Sequence, residues 1–299
     1  MTPAEFEAEL VLRQRRLTRE ASRRDVRADL AETDRLADRL MAEQLLSPNG
    51  AITILQIALL FRRAARVMRT LAYLRERCGD HEIVLGLERY LGPGKSAGGE
   101  PAEADLVRAE YALKAAYYNV ASRESHDLLS SAFVRFSRRL RFNGPARVAD
   151  LACGTGLVGR LLRGQGFTGE LVGVDLSAEM LALAAEDGCY TALVCADLVD
   201  YLNREPGRFD AVLAMQVVAM LDPAVVDALL AAVRRRLKPQ GVLIINGSIY
   251  EDLPDAEAAK AMICRIGCST FEHLLKTHGF AFRFFDHGDE RRYYTCSPV

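Results

Sequence analysis

Residues 147–156 read Arg-Val-Ala-Asp-Leu-Ala-Cys-Gly-Thr-Gly, an apolar run that ends in a glycine-containing turn. Glycines that follow a strand let the backbone approach a ligand closely as the chain turns into a helix. A second apolar run ends in Val174-Asp175, nineteen residues after Gly156. An acidic side chain at the tip of a second strand can accept hydrogen bonds from the two hydroxyls of a ribose. Together the two features indicate a site for a nucleoside-containing cofactor.

Strand-like apolar runs alternate with helical stretches around this segment. Short strands and helices alternate in this way when βαβ crossovers build a mostly parallel sheet that helices cover on both faces. We therefore predict an α/β domain with a doubly wound, mostly parallel sheet of seven strands. The predicted strands are 146–151, 170–174, 191–196, 209–215, 242–246, 280–286 and 293–297, and the helices among them are 156–164, 178–187, 223–237 and 269–278.

The first hundred residues show helical patterns only. Thr2-Pro3-Ala4-Glu5 is a capping box with proline at the first helical position. A strongly apolar helix is predicted over 51–77, and a Gly/Pro/Ser cluster at 92–101 marks the best domain boundary. We predict an all-helical N-terminal module at 1–100 and a cofactor-binding domain at 101–299. Since the apolar helix cannot stay exposed, we expect the module to cover the substrate site as a lid or to form a homodimer.

The composition excludes several classes of protein. Lys plus Arg number 39 and Asp plus Glu number 40, whereas a general nucleic-acid binder carries a basic excess. The longest apolar run, 51–61, is too short to span a bilayer. The N-terminus carries Glu5, Glu7 and Glu9 and lacks the layout of a signal peptide. We expect a cytoplasmic protein that binds neither nucleic acid nor a membrane.

The seven cysteines predict neither a disulfide framework nor a metal site. Their number is odd, and several lie in apolar runs, where a reduced cysteine behaves as a small hydrophobic residue. Cys264, Cys268, His273 and His278 are close in sequence, but no Cys-x-x-Cys pair occurs and 256–277 has a helical pattern. Zinc sites use paired ligands at short spacings on loops. We therefore predict that no metal is bound.

Two cofactor classes fit the glycine-containing turn. Gly154-x-Gly156-x-x-Gly159 matches the dinucleotide fingerprint, which would make the protein an NAD(P)-dependent oxidoreductase. Asp150 argues against this class, because a carboxylate at the end of the first strand repels a pyrophosphate and attracts an ammonium group. S-adenosylmethionine carries an ammonium group and no phosphate. The electrostatics therefore favour the sulfonium cofactor.

With these motifs, residues 105–299 resemble the class I S-adenosylmethionine-dependent methyltransferase family. The segment 150–156 is similar to the Asp-x-Gly-x-Gly-x-Gly cofactor loop of that family, with Ala152 in place of the first loop glycine. We expect a negative φ at Ala152 and a tighter loop. The resemblance implies a Rossmann-like sheet and S-adenosylmethionine as the cofactor. The other matching segments are the tip of the second strand (173–180), the adenine-side acid (195–198), the fourth strand (209–218) and the turn into the fifth strand (237–243).

The resemblance also implies which residues bind the cofactor. Several of them have alternative roles. Asp150 and Asp175 would cap the following helices, although Asp150 lies several residues too early for this. Asp197 would cap a short turn, and Tyr117 would pack on the core. The predicted cofactor-binding residues are Tyr117, Asp150, Ala152, Cys153, Gly154, Thr155, Gly156, Asp175, Leu176, Met180, Ala196, Asp197, Leu198, Met215 and Gln216.

Methyl transfer is an in-line displacement that requires alignment of the reactants and exclusion of water. A neutral amine or alcohol acceptor also needs a general base, for which Tyr250, Glu251 and His126 are the candidates. No Asn-Pro-Pro-Tyr follows the fourth strand, which argues against DNA as the substrate. We predict methyl transfer to an oxygen, nitrogen or sulfur of a metabolite or natural product. Two alternatives stay open, a non-catalytic interaction protein that uses its helical module and an NAD(P)-dependent oxidoreductase.

Overall fold

The chain divides into two compact units, each described below by itself. The computed structural model describes residues 3–20, 26–79, 82–92, 101–115, 117–137, 140, 145–248, 265–287 and 291–299. Of these, the residues up to Lys114 form the first unit and those from Ala115 onward form the second. No helix in the described ranges is both long enough and apolar enough to cross a membrane.

The described part of the first unit is built from helices, as predicted for the N-terminal module. Pro3 begins the first helix, in agreement with the capping pattern. Apolar side chains of all six helices share one buried cluster, which includes Phe6, Ala37, Leu55, Leu71, Leu87 and Leu106. The helices are α1 (Pro3–Glu20), α2 (Arg27–Ala42), α3 (Pro48–Leu60), α4 (Ala64–Cys78), α5 (Glu82–Leu91) and α6 (Glu103–Ala115).

The single helix predicted over 51–77 is two helices, α3 and α4. Ser47 caps α3 by accepting a 3.1 Å hydrogen bond from Gly50 N, so this helix begins earlier than the predicted residue 51. The chain breaks between the helices because Arg62 has a φ of 54°, in the left-handed region. The Arg62 guanidinium donates to Leu59 O at the end of α3 and to the Glu110 carboxylate. The apolar sequence pattern continues through this break and therefore does not mark it. Arg62 stabilises the break through these two contacts.

The boundary between the units lies later than the predicted one at residue 100. Leu106 and Ala109 of α6 are buried in the same apolar cluster as the earlier helices. Glu110 is also buried, and it pairs with Arg62 and Lys114. These contacts place α6 with the first unit, so the chain passes to the second unit between Lys114 and Ala115.

The second unit contains the seven predicted strands. Helix α7 (Tyr118–Ala121) and helix α8 (Arg123–Ser137) precede them. The strands are β1 (Arg147–Leu151), β2 (Glu170–Asp175), β3 (Ala192–Cys195), β4 (Phe209–Ala214), β5 (Leu237–Ser248), β6 (Phe280–His287) and β7 (Arg291–Pro298). The helices between them are α9 (Leu157–Gly164), α10 (Ala178–Ala185), α11 (Leu198–Arg204), α12 (Pro223–Arg236) and α13 (Cys268–Thr277).

The strands form one sheet in the order β3-β2-β1-β4-β5-β7-β6. The four pairs among β1 to β5 are parallel, and β7 runs antiparallel to both β5 and β6. The prediction of a mostly parallel, doubly wound sheet is therefore confirmed. The order reverses at β1, whose neighbours are β2 and β4, and ligands of such sheets bind beyond the carboxyl ends of the strands at this switch point.

Both faces of the sheet are buried. Ala149, Leu151 and Val174 belong to a cluster on one face, while Val148 and Leu171 belong to a cluster on the other. Side chains alternate between the faces of a strand, so Asp150 lies on the same face as Val148. This is the face that the apolar side chains of α8 and α9 cover, including Phe133 and Leu162. Asp150 is thus a carboxyl group inside an apolar layer.

Candidate functional site

The carboxyl ends of the first three strands bring acidic residues to one edge of the sheet. Asp150 is the penultimate residue of β1, Asp175 ends β2, and Asp197 follows β3 closely. The parallel registers pair Leu151 with Val174 and Asp175 with Cys195, so the three strand tips lie side by side. The sequence predicted each of these acids at a strand tip, and the structure places them there.

The loop after β1 is held by hydrogen bonds to β2. Cys153 N donates to Val174 O at 3.0 Å, and Gly154 N donates to Asp175 Oδ2 at 2.8 Å. Two loop glycines have positive φ, 53° at Gly154 and 86° at Gly156. The open space above Gly154, where a Cβ would meet nothing within 4 Å, allows a ligand to approach the backbone.

The expectation of a negative φ at Ala152 is wrong, because its φ is 55°. The left-handed conformation brings the Cβ of an L-residue close to the carbonyl oxygen, which costs about 1–2 kcal/mol. The hydrogen bonds of Cys153 and Gly154 to β2 turn the chain sharply enough to impose it. The loop therefore keeps the backbone path that the family glycine permits, with an alanine under strain.

Asp175 accepts two backbone hydrogen bonds. Besides Gly154 N on Oδ2, Ser177 N donates to Oδ1 at 3.0 Å. Burial raises the pKa of this carboxyl group, and the amide donors of Ser177 and Gly154 oppose the rise. The carboxylate is thereby fixed in orientation beside the loop. Its remaining lone pairs suit the hydroxyls of a ribose.

Asp150 is almost completely buried, with 1% of its surface exposed. Tyr190 OH donates a 2.6 Å hydrogen bond to Asp150 Oδ2. Burial raises the pKa of Asp150 to about 7, the Tyr190 hydrogen bond opposes this rise, and the nearby charge of Asp175 adds to it. The carboxyl group is therefore poised to bind a cation at neutral pH.

The segment that precedes α8 is tied to the same loop. Thr155 Oγ1, which is buried, donates a 2.6 Å hydrogen bond to Asn119 Oδ1 in α7. Tyr117 occupies the position before α7 and is 39% exposed. The structure therefore brings the Tyr117 segment to the cofactor loop, and the cofactor contact of Tyr117 stays a prediction.

His126 is the candidate base that the structure describes. Its ring centroid lies 5.8 Å from that of Tyr118. Burial lowers the pKa of His126, and the charge of Arg160 lowers it further, so the imidazole is neutral at pH 7. Arg160 also donates to Thr155 O at 2.8 Å, which links its charge to the loop. The other two candidates, Tyr250 and Glu251, lie outside the described residues.

Asp197 caps a helix, the alternative role that the sequence left open. Its Oδ1 accepts hydrogen bonds from Val199 N at 2.8 Å and Asp200 N at 3.1 Å, at the start of α11. Ala196 N donates to Asp175 O at 3.0 Å and keeps the tip of β3 beside that of β2. A cap and an adenine contact are compatible, because a carboxylate has two oxygens. The adenine contact stays a prediction.

A family model described as a methyltransferase domain matches residues 148–241, the part of the chain that contains the loop, the three acidic strand tips and β4. This segment is a class I S-adenosylmethionine-dependent methyltransferase domain. The match excludes the NAD(P)-dependent oxidoreductase that the glycine spacing alone had left open.

Known proteins agree with this methyltransferase domain. The chain is 32% identical to a ubiquinone biosynthesis O-methyltransferase of Xylella fastidiosa (strain 9a5c) over 115 residues, which are 37% of this chain and 44% of that relative. It thus spans less than half the length of the curated relative. A structure described as a DhpI–SAM–HEP complex has a TM-score of 0.51 at 21% identity, covering 66% of this chain and 97% of that one. This second likeness shows the shared fold.

The remaining predicted site residues of the methyltransferase domain lie around the same strand tips. Met180 stands in the first turn of α10, where Ser177 Oγ accepts a hydrogen bond from its amide at 3.2 Å. Leu198 and Met215 are both buried, and each belongs to a core cluster; a cofactor contact of Leu198 stays a prediction. Gln216 follows β4 with a φ of 60°. Contacts of Leu176, Met180, Met215 and Gln216 with the cofactor stay predictions.

Two residues at the site were missed by the sequence analysis. Tyr190, which binds Asp150, lies in the turn before β3, where no motif spacing marks it. Asn246 is buried near the end of β5, and its Oδ1 accepts a 2.6 Å hydrogen bond from Gln216 N. A polar residue inside the apolar run 242–246 was the available indication for Asn246.

Proposed function

We propose that the whole protein is an enzyme that transfers a methyl group from S-adenosylmethionine to an oxygen, nitrogen or sulfur nucleophile of a small molecule. The arrangement of Asp150 and Asp175 on the two sides of the 152–156 loop carries this proposal. Asp175 is fixed by two backbone amides, and Asp150 is a buried carboxyl group on the adjacent strand. Asp175 suits the ribose hydroxyls and Asp150 suits the ammonium group, the two parts of this cofactor that need a carboxylate partner.

The described residues fit the cofactor. Asp175 would hold the ribose hydroxyls, Asp150 the ammonium group, and Asp197 the adenine side. The open space above Gly154 would admit the cofactor against the loop backbone. When bound, S-adenosylmethionine supplies a methyl group on an electron-deficient sulfur. The protein has to fix the two ends of the cofactor so that the methyl group faces the acceptor.

The role of the chain in the transfer is alignment, exclusion of water and, for a neutral acceptor, removal of a proton. His126 suits the last task, because burial and Arg160 keep its imidazole neutral and able to accept a proton. Arg160 bonds the carbonyl of Thr155, and Thr155 bonds Asn119, so these groups form one connected network at the loop. We propose His126 as the general base on this basis.

A small-molecule acceptor is supported by the curated relative, which is named as a ubiquinone biosynthesis O-methyltransferase. The shared segment covers 44% of that relative, so the similarity bears mainly on the cofactor domain. Among oxygen, nitrogen and sulfur acceptors, this relative favours a hydroxyl group. The near balance of 39 basic and 40 acidic residues also supports a partner other than nucleic acid.

The test combines binding and turnover. Calorimetric titration of the full-length protein with S-adenosylhomocysteine and with NAD is expected to show binding of the first only. Incubation with S-adenosylmethionine and panels of small phenols, amines and thiols is expected to release S-adenosylhomocysteine with one class of acceptor. Binding without turnover on every panel would support the alternative of a non-catalytic interaction protein.

The first unit also has a proposed role. We propose that it is required for turnover or forms a homodimer, since Val11, Leu12 and Leu85 are large apolar side chains exposed on its helices. Measuring the mass of the full-length protein in solution, together with the turnover of a chain that begins at Ala115, distinguishes these roles. We also propose that the protein is cytoplasmic, which cell fractionation tests.

A further inference from the structure

Tyr190 connects the carboxyl group of Asp150 to the cofactor loop. Its phenol donates to Asp150 Oδ2 at 2.6 Å and accepts a 3.2 Å hydrogen bond from Gly159 N, in the first turn of α9. The ring packs against the apolar cluster that α8 and α9 place on this face of the sheet. The hydroxyl therefore has a fixed position between the helix and the strand.

Three glycines leave room for the Tyr190 ring. A Cβ at Gly159 would lie 2.6 Å from Tyr190 Cζ, and a Cβ at Gly173 would lie 2.8 Å from Tyr190 Cδ1. At Gly156 the distance to Cε2 would be 3.2 Å. Gly173 is also the residue of β2 that pairs with Asp150 in the ladder with β1. Because Gly173 has no side chain, the phenol of Tyr190 can cross β2 and reach Asp150.

The groups that face Asp150 are few. Asp175 and the thiol of Cys153 are on the loop side, and Tyr190 is on the helix side. Within the part of the chain that the structure describes, no lysine, arginine or histidine pairs with the Asp150 carboxylate. The charge of Asp150 is therefore stabilised by the phenol of Tyr190 and opposed by burial and by Asp175.

We infer that Tyr190 is a positioning residue that keeps the Asp150 carboxylate oriented and ionised for the ammonium group of the cofactor. This inference rests on the proposed function. A phenol that donates to a carboxylate stabilises the ionised form, and an ammonium group pairs with that form only. The loss of the Tyr190 hydroxyl would therefore leave Asp150 protonated at a higher pH, and the cofactor would bind weakly over a wider pH range.

The experiment measures the affinity of the full-length protein for S-adenosylhomocysteine from pH 6 to pH 9. We expect the affinity of wild type to fall as the pH drops below about 7, the pKa to which burial raises Asp150. In Tyr190→Phe the fall begins at higher pH, so this variant binds up to about tenfold more weakly near pH 6.5 and within about threefold of wild type at pH 9. Tyr201→Phe is the matched control. Tyr201 OH also donates to a carboxylate, that of Glu205, at a distance of 3.1 Å, and this pair lies away from the loop.

A second ligand separates a charge effect from a packing effect. 5′-Methylthioadenosine contains the nucleoside and lacks the amino-acid portion, so its affinity should show no shift in pH dependence in Tyr190→Phe. Gly159→Ala is a second variant, because its Cβ would displace the phenol from Asp150 while retaining the hydroxyl. It should shift the S-adenosylhomocysteine profile in the same direction, and it decides the question if Tyr190→Phe does not fold.

The outcomes are distinct. Superimposable pH profiles of wild type and the folded variants would overturn the role of Tyr190 and leave the cofactor assignment intact. Equal weakening of both ligands at every pH would assign Tyr190 a packing role instead and would also overturn the inference. Failure of wild type to bind S-adenosylhomocysteine at any pH would overturn the proposed function itself.

Discussion

The backbone amide of Gln216 donates a 2.6 Å hydrogen bond to Oδ1 of Asn246, which ties the residue after β4 to the end of β5. Gln216 has a φ of 60°, a conformation that non-glycine residues adopt at a cost of about 1 kcal/mol or more. Asn246 is 2% exposed and cannot relax away from this contact. Backbone strain of this kind clusters at functional sites, and Gln216 is one of the predicted cofactor-binding residues.

Asn246→Leu should lower the free energy of unfolding by about 1–3 kcal/mol, because the leucine side chain cannot accept the Gln216 hydrogen bond. It should also weaken binding of S-adenosylhomocysteine, since Gln216 would leave its left-handed conformation. Urea unfolding and calorimetry measure the two effects. Asn203→Ala is the control: Asn203 accepts from Arg235 at 2.7 Å on the exposed surface, so its loss should change little. Normal stability and affinity in Asn246→Leu would contradict the role of this contact.

Asp175→Ala should weaken binding of S-adenosylhomocysteine by about 1.5–3 kcal/mol, the usual contribution of a hydrogen bond to a charged group. The variant also removes the acceptor for Gly154 N, so the loop loses one of its anchors. Calorimetry of Asp227→Ala provides the comparison, because Asp227 is an exposed carboxylate of α12 that pairs with His278. Unchanged affinity in Asp175→Ala would mean that the cofactor site lies elsewhere.

Ala152→Gly should raise the free energy of unfolding by about 0.5–1 kcal/mol, the opposite of the usual effect of glycine, because it relieves a left-handed alanine. Gly188→Ala tests the same physics in reverse. Gly188 has a φ of 61°, close to the 55° of Ala152, and an added Cβ there would meet nothing within 4 Å. Urea unfolding should therefore show a loss of about 1 kcal/mol in Gly188→Ala. A destabilised Ala152→Gly would refute the strain at this position.

Asp150 should make the ligand-free protein less stable as the pH rises. Burial raises the pKa of its carboxyl group from 3.8 to about 7, so the folded state binds the proton more tightly than the unfolded state does. The resulting stabilisation is complete below about pH 4 and is lost as the pH rises through 7. Asp150→Asn cannot titrate, so its unfolding free energy relative to wild type should increase by roughly 3 kcal/mol from pH 4.5 to pH 8. Urea titrations at both pH values measure this difference, and a constant difference would exclude the raised pKa.

His126→Gln should lower kcat by about 100-fold or more with any neutral acceptor and leave the affinity for S-adenosylhomocysteine unchanged. Because burial and Arg160 lower the pKa of His126, the wild-type kcat should rise with pH and level off below the ordinary histidine value of 6.5. His278→Gln is the control, since His278 pairs with Asp227 on an exposed surface. Full activity in His126→Gln would assign the base to another residue.

The fold of the second unit was predictable because its strands are buried on both faces and therefore appear as short apolar runs. Six of the seven strands were predicted within about two residues of their observed bounds, whereas β5 (Leu237–Ser248) begins earlier than the predicted 242–246. The acids at the tips of β1 and β2 followed from these strands. Helix α11 was not predicted, because its 7 residues are too few to show a clear helical period between two strands. The break between α3 and α4 was missed for a different reason. The apolar period continues through it, and the stabilising partner Glu110 lies far along the chain.

The site was predictable where a backbone motif fixes it and unpredictable where it depends on contacts between distant residues. Asp175 is marked by its place at a strand tip. Tyr190 is not, because its role depends on Gly159 and Gly173, whose missing side chains matter only after folding. The φ of Ala152 was mispredicted for a related reason. The residue type favours a negative φ, but the hydrogen bonds of Cys153 and Gly154 to β2 impose a positive one.

The buried carboxyl group of Asp150 has a consequence for cofactor binding near neutral pH. With a pKa of about 7, a fraction of the ligand-free molecules carry a hydrogen ion on this group. In the proposed complex an ammonium group takes that place, so a fraction of a hydrogen ion is released to the solvent for each cofactor bound. The heat of binding would then vary with the ionisation enthalpy of the buffer, and the occupancy of the site would follow the acidity of its surroundings. In the proposed complex, cofactor binding would therefore be the exchange of one cation for another.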